Sequence, residues 1–144
     1  MNNKNRKIII WVIFFVYLAL LMKVILFKYP IDMIMTIIKS GEILPVSVRI
    51  AYSNFVPMRT IFNFLFRCQN IRISMKNILG NIIAFAPLGF LLPIVFNRIN
   101  KLKSVILSSF ILSLMLEIIQ LLTAIGRFDV DDILLNVFGS ICGY

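Results

Sequence analysis

The stretch EIIQLLTAIGRFDVDDILLNVFGSICG, residues 117–143, decides how this chain is read. It is apolar enough to lie in a bilayer, yet it carries Glu117, Arg127, Asp129, Asp131 and Asp132. Glu117 and Gln120 stand one helical turn apart in an apolar run, and Asn136 follows Asp132 by four residues, so each pair shares a helix face. A charged group in hydrocarbon costs at least ~2.5–3.5 kcal/mol on insertion scales, so a chain that keeps several there generally uses them. The remaining segments read as parts that hold a lid and a basic loop over this polar cluster.

The composition agrees with a membrane setting. The 144 residues are one domain by length. A hydrophobic fraction of 60% and a charged fraction of 15% lie outside the ~45–50% and ~25% of soluble domains. The net charge is +9, but the cations sit in short flanks of apolar runs and in one long loop. That pattern suits anionic headgroups or envelope polymers and argues against nucleic acid. The chain has no histidine, which excludes a His-ligated metal and a His-dependent triad. Cys68 and Cys142 are not expected to pair, and no cofactor pattern is present.

Working along the chain, Lys4, Arg6 and Lys7 precede a first span at residues 8–27. Its 20 residues reach ~30 Å, and it reads as an uncleaved span because no small-residue cleavage site follows. Residues 29–77 form a long connection punctuated by Pro30, Gly41, Pro45 and Pro57. Within it, residues 32–39 suggest a short interfacial helix. Val46, Val48, Ile50 and Tyr52 alternate with smaller or polar residues, a strand-like pattern. Arg59, Asn63 and Arg67 recur on one face of an aromatic helix suited to a membrane surface. Ser74 is the expected N-cap of a second span at 75–96, in which Pro87 and Gly89 interrupt the helix and Pro87 frees the Ile83 carbonyl. A basic turn with Arg98, Lys101 and Lys103 leads to a third span at 104–125. A fourth begins near Asp131 and runs to Tyr144; its ~14 residues make ~21 Å, so it is either a half-span or a helix that continues past this sequence.

The expected fold is therefore all-α, a polytopic membrane protein with about four spans and a long amphipathic loop between the first two. Dense cations in the short flanks place the N-terminus and the 98–103 turn in the cytoplasm. The long loop and the 127–132 turn are then extracytoplasmic, although the loop also carries Lys28, Lys39, Arg49, Arg59, Arg67, Arg72 and Lys76. In this topology Asn81, Glu117, Gln120, Asp131, Asp132 and Asn136 meet near the outer leaflet, with the 59–67 segment at the same level.

Each of these residues has a plain reading beside a functional one. Glu117 is either an acid/base or ligand-binding group, or a packing group bonded to Asn81 or Gln120. Asp131 and Asp132 at a helix start complement its dipole, with Arg127 neutralising them. Alternatively they form, with Arg127, a site for a headgroup or phosphate. The spacing specifies no metal-ligand set. Gly139 and Gly143 are a small-xxx-small pair for close helix approach, and Asn81 and Asn136 can bond across helices.

Asn81-Ile-Ile-Ala-Phe85-Ala-Pro87-Leu-Gly89, then Glu117-Ile-Ile-Gln120, then Arg127 through Asp131-Asp132-Ile-Leu-Leu-Asn136-Val-Phe-Gly139 and Gly143, together resemble the VanZ-like family of bacterial integral membrane proteins. Asn54-Phe-Val-Pro57-Met-Arg59-Thr60-Ile61 is similar to that family's element ahead of its second span. The likeness runs from about Asn54 to the end, and family members commonly continue past these glycines. It implies a multi-pass protein of the bacterial cytoplasmic membrane. By association with the family's namesake it also implies envelope protection or low-level resistance to the lipoglycopeptide teicoplanin. The partners it brings are membrane lipids, a lipid-linked precursor or the lipoglycopeptide itself. Candidate ligand or headgroup residues are Asn81, Glu117, Gln120, Arg127, Asp132, Asn136 and Arg59. Two other classes stay open. One is an intramembrane enzyme with Glu117 as acid/base, Asp131 or Asp132 as its partner and Arg127 steadying a phosphate or oxyanion. The other is a helper subunit that pairs through Gly139 and Gly143.

Overall fold

The computed structural model describes residues 2–26, 44–67 and 71–144. Six α-helices occur among them: α1 (Asn3–Leu26), α2 (Val46–Ala51), α3 (Arg59–Phe66), α4 (Ile71–Val95), α5 (Leu102–Thr123) and α6 (Val130–Gly143). No strand occurs among the described residues; a single isolated bridge pairs Asn54 with Asp129. The all-α expectation holds. Three helices are long and apolar enough to cross a membrane, at Asn3–Leu26, Ser74–Val95 and Leu102–Thr123. They coincide with the first three expected spans. α6 has 14 residues and is not one of these three.

The differences from the sequence reading have local causes. Val46–Ala51 is helical, not strand-like. Val48 and Arg49 donate their N–H groups to the Pro45 carbonyl, and with no neighbouring strand an alternating run has no ladder to join. Ser74 does not cap the second span, because α4 starts at Ile71 and Ser74 lies buried inside it. Pro87 and Pro93 both lie within α4, which continues to Val95. The interfacial helix expected at residues 32–39 falls outside the described residues.

Lipid offers no hydrophobic gain for joining two apolar helices, so their association depends on close contact and hydrogen bonds. The tightest seam is between α4 and α6, and glycine makes it. Gly139 rests on the Ile82 carbonyl and Gly143 on the Ala86 carbonyl, one turn along, while Gly89 of α4 rests on the Ser140 carbonyl of α6. A Cβ at any of the three would overlap a backbone oxygen. Gly89 is thus a contact surface rather than a helix breaker.

α1 closes the other side of α4. Phe14, Leu21 and Ile25 of α1 join Phe85, Leu88 and Leu92 of α4 and Val105 and Leu116 of α5 in one buried cluster. The Tyr17 hydroxyl donates to the Ala84 carbonyl at 2.7 Å. Trp11 and Phe14 meet Phe96 edge-on, with ring centroids 5.3 and 5.6 Å apart. The outward faces stay apolar, as at Val12, Phe15, Val16, Ile83 and Phe90, which is the surface a helix shows to lipid.

Gly139→Ala or Gly143→Ala is therefore expected to cost about 1–3 kcal/mol as an overpacking change. Gly80, where an added Cβ meets nothing within 4 Å, is the internal control, and Gly80→Ala is expected to be neutral or slightly stabilising. Thermal unfolding of the three variants in one detergent checks this; equal midpoints would remove the seam's role.

Candidate functional site

α6 begins in a polar turn whose groups are almost all committed to other elements. Asp129 is its N-cap, and its Oδ1 accepts from the Asp131 N–H at 2.9 Å. The same oxygen accepts from Asn54 Nδ2 at 2.8 Å, and Asp129 Oδ2 accepts from the Thr60 hydroxyl at 2.7 Å. Asn54 is also held through its backbone: its N–H donates to the Phe128 carbonyl at 2.8 Å, and its carbonyl accepts from Val130 at 3.0 Å. Phe55 and Phe128 stack beside this bridge.

Asp131 reaches further. It is fully buried. Its Oδ1 accepts from the Met58 N–H, and its Oδ2 from Thr60 at 2.6 Å and Ile61 at 3.2 Å. These are the open N–H groups at the start of α3, whose own N-cap, Met58, offers no side-chain cap. A carboxylate there satisfies orphan donors and meets the positive end of the helix dipole. The cap comes from a residue more than 70 positions away. Met58 is left-handed at φ 68, a conformation that persists in a non-glycine residue only when its surroundings over-determine it.

Other helix ends at this level are served the same way. Arg49 Nη1 donates to the Leu121 carbonyl and, at 2.9 Å, to the Leu122 carbonyl. A cation thus closes the C-terminus of α5, where the dipole is negative. Gln120 Nε2 donates to the Ile25 carbonyl at 2.7 Å, at the end of α1. Glu117 is 1% exposed, and its Oε2 accepts from the Asp129 N–H at 2.9 Å, tying α5 to the polar turn.

Between the helices, Asn81 Nδ2 donates to Asp132 Oδ1 at 2.6 Å, joining α4 to α6. Asn136 Nδ2 donates to the Ser113 hydroxyl at 2.9 Å, and the Ser140 hydroxyl donates to the Phe85 carbonyl at 3.2 Å. Ser109, Ser113 and Glu117 form a buried stripe on α5, which meets α6 at Asn136 through Ser113. Asn136 Oδ1 and Ser109 Oγ have no hydrogen-bond partner among the described residues.

The structure thus brings Asn81 to Asp132 and Glu117 to the Asp129–Asp131 turn, and it buries Asn136 and Gln120 on separate partners. Arg127 and Arg59 stand apart from them, both exposed. Arg59, Asn63 and Arg67 lie with Phe62 and Phe66 along an open cleft of about 420 Å³ on α3. Among the described residues no group of three or more acidic or cysteine side chains is placed to hold a metal.

Sequence reasoning placed Asn54 and Thr60 in a motif without a role, and it missed Arg49 and the serines. The four-residue spacing of Ser109, Ser113 and Glu117 was a readable signal. Arg49 had none, because its partners are backbone carbonyls of a distant helix.

The VanZ/LLP1 family model matches residues 14–144. The chain is similar to Protein VanZ of Enterococcus faecium, with 33% identity over 89 residues. That alignment covers 58% of this chain and 55% of that protein, so the chain spans about half the length of the curated relative it matches. No solved structure matches it significantly.

Asp131→Ala leaves the N–H groups of Met58, Thr60 and Ile61 without their acceptor, at about 1–3 kcal/mol for each group that stays buried. Hydrogen exchange at residues 54–61 is expected to accelerate sharply, with α4 and α5 little changed. Met58→Gly, which suits the left-handed backbone, is expected to leave that exchange unchanged or slower.

Proposed function

Because the chain belongs to the VanZ/LLP1 family, we propose that it protects the envelope from the outer face of a bacterial cytoplasmic membrane, lowering susceptibility to a lipoglycopeptide such as teicoplanin. The observation that carries this reading is the clamp of Asp129 and Asp131 on the Asn54–Ile61 segment. It fixes an amphipathic, arginine-bearing helix at the end of the bundle where Glu117 and the Asn81–Asp132 pair also lie.

In this reading the hydrogen-bonded carboxylates position and the exposed cations make contact. Glu117, Asp131 and Asp132 hold the turn and α3; Arg127 and Arg59 face the ligand, whether a lipid-linked precursor, a headgroup or the drug's membrane anchor. The cation-dense flanks Lys4–Lys7 and Arg98–Lys103 support an inside N-terminus, which puts the 127–132 turn outside. α6 then enters from the outer side as the fourth, shorter helix of the bundle. The engagement of Glu117 by the Asp129 N–H supports positioning over acid/base work.

Expression in a susceptible Gram-positive host is expected to raise the inhibitory concentration of teicoplanin several-fold. Arg127→Gln, at matched membrane levels, is expected to return it toward the empty-vector value, while Glu117→Gln, which keeps an acceptor for Asp129, retains most of the protection. No change in susceptibility on expressing the intact protein would refute the reading.

A further inference from the structure

We propose that the exposed half of α3 is a binding site for an anionic phospholipid, with Arg59, Asn63 and Arg67 taking the headgroup phosphate and Phe62 and Phe66 lying along its acyl chains. This deepens the envelope reading and rests on it only for the leaflet in which the lipid sits.

The first ground is charge. The four described carboxylates are engaged inside the fold: Asp131 on the Met58, Thr60 and Ile61 N–H groups, Asp129 on Asn54 and Thr60, Asp132 on Asn81 and Glu117 on Asp129. Arg59 and Arg67 are exposed, and neither has a carboxylate partner among the described residues. Two guanidiniums that no described carboxylate neutralises lie on one short helix face and call for an anion, and planar guanidinium donors match a phosphate's oxygens.

The second ground is how the exposed surface is divided. At ~100° per residue, Arg59, Asn63 and Arg67 cover an arc of about 80°, and Phe62 and Phe66 the adjoining ~40°. Thr60, Phe64 and Ile61 follow beyond Arg67 and are partly buried, and Leu65, beside the phenylalanines, is exposed. The two phenylalanines are 56% and 74% exposed. A free phosphate has no use for exposed aromatic rings beside it. A molecule with an anionic head and an apolar tail matches both strips at once.

The third ground is that the surface is fixed in place. Asp131 holds the N-terminus of α3 and Asp129 holds Thr60. Arg59, Asn63 and Arg67, spaced over ~12 Å of helix, therefore lie with Phe62 and Phe66 along one open surface of a docked helix.

The test uses full-length protein in nanodiscs of phosphatidylcholine with a minor share of phosphatidylglycerol. Lipid retained after gentle extraction is read by native mass spectrometry. The intact protein is expected to retain phosphatidylglycerol in preference. Arg59→Gln/Arg67→Gln is expected to weaken that preference by roughly tenfold for each guanidinium, the factor for one charge-assisted hydrogen bond lost. Arg98→Gln/Lys101→Gln, which removes two flank cations outside α3, is expected to weaken it far less. Phe62→Ala/Phe66→Ala is expected to lower retention of both lipids. Unchanged exchange at residues 54–61 confirms that α3 is still docked; if the double arginine variant fails to fold, Arg67→Gln alone, at the far end from the clamp, gives the readout. Equal phosphatidylglycerol preference in the arginine variants overturns the proposal, and so does its displacement by inorganic phosphate at constant ionic strength. Teicoplanin susceptibility is scored separately. Lost lipid preference with protection intact keeps the lipid site and detaches it from the drug. Protection lost while the arginine variants still prefer phosphatidylglycerol overturns the site and leaves the envelope reading standing.

Discussion

One buried carboxylate organises the polar end of this molecule. Asp131 sits at the start of α6, yet its oxygens receive N–H groups from Met58, Thr60 and Ile61 at the start of α3. A lone carboxylate in such a place would be prohibitively costly. Several aligned donors and a helix dipole make it favourable. The same bonds turn a stretch that would drift on the membrane surface into a docked element with a defined outer face. The docking decides which face of α3 is exposed, the one that carries Arg59, Asn63 and Arg67.

Beside the clamp, α4 and α6 approach closely. Gly139 and Gly143 sit against carbonyls one turn apart on α4, and Gly89 answers from the other side. That contact brings Asn81 within 2.6 Å of Asp132 and lets Ser140 reach the Phe85 carbonyl. Across the neighbouring α5–α6 interface, Asn136 donates to Ser113 and the Asp129 N–H to Glu117. Apolar association is weak in lipid, so these hydrogen bonds and backbone contacts supply what a hydrophobic core supplies in water. Helix ends follow the same logic. Arg49 closes α5, Gln120 reaches the end of α1 and Asp131 opens α3, each bond coming from another segment of the chain.

Much of the candidate site was visible in the sequence as residue types, and little of it as roles. Asn81, Glu117, Gln120, Asp132 and Asn136 stood out because polar groups are rare in apolar runs. The structure pairs them differently from one another: Gln120 with the end of α1, Asn136 with Ser113, Glu117 with a backbone N–H. Arg127, read as the counter-ion of the aspartates, is exposed at the turn, since those aspartates already have donors. The alternation at residues 46–52 pointed to a strand and gave a helix, because strand formation needs a neighbour that this part of the fold does not supply.

The three long helices, the charged turn and the glycine pair were determined by the sequence alone, since hydropathy and four-residue spacing are properties of contiguous residues and act before any contact forms. The cap of α3 by Asp131, the closing of α5 by Arg49 and the division of α3 into docked and exposed halves were decided only by tertiary structure. Each joins groups some 70 positions apart through backbone atoms, whose N–H and C=O are the same in every residue. A sequence does not mark which of them will be left open at a helix end until the helices have packed.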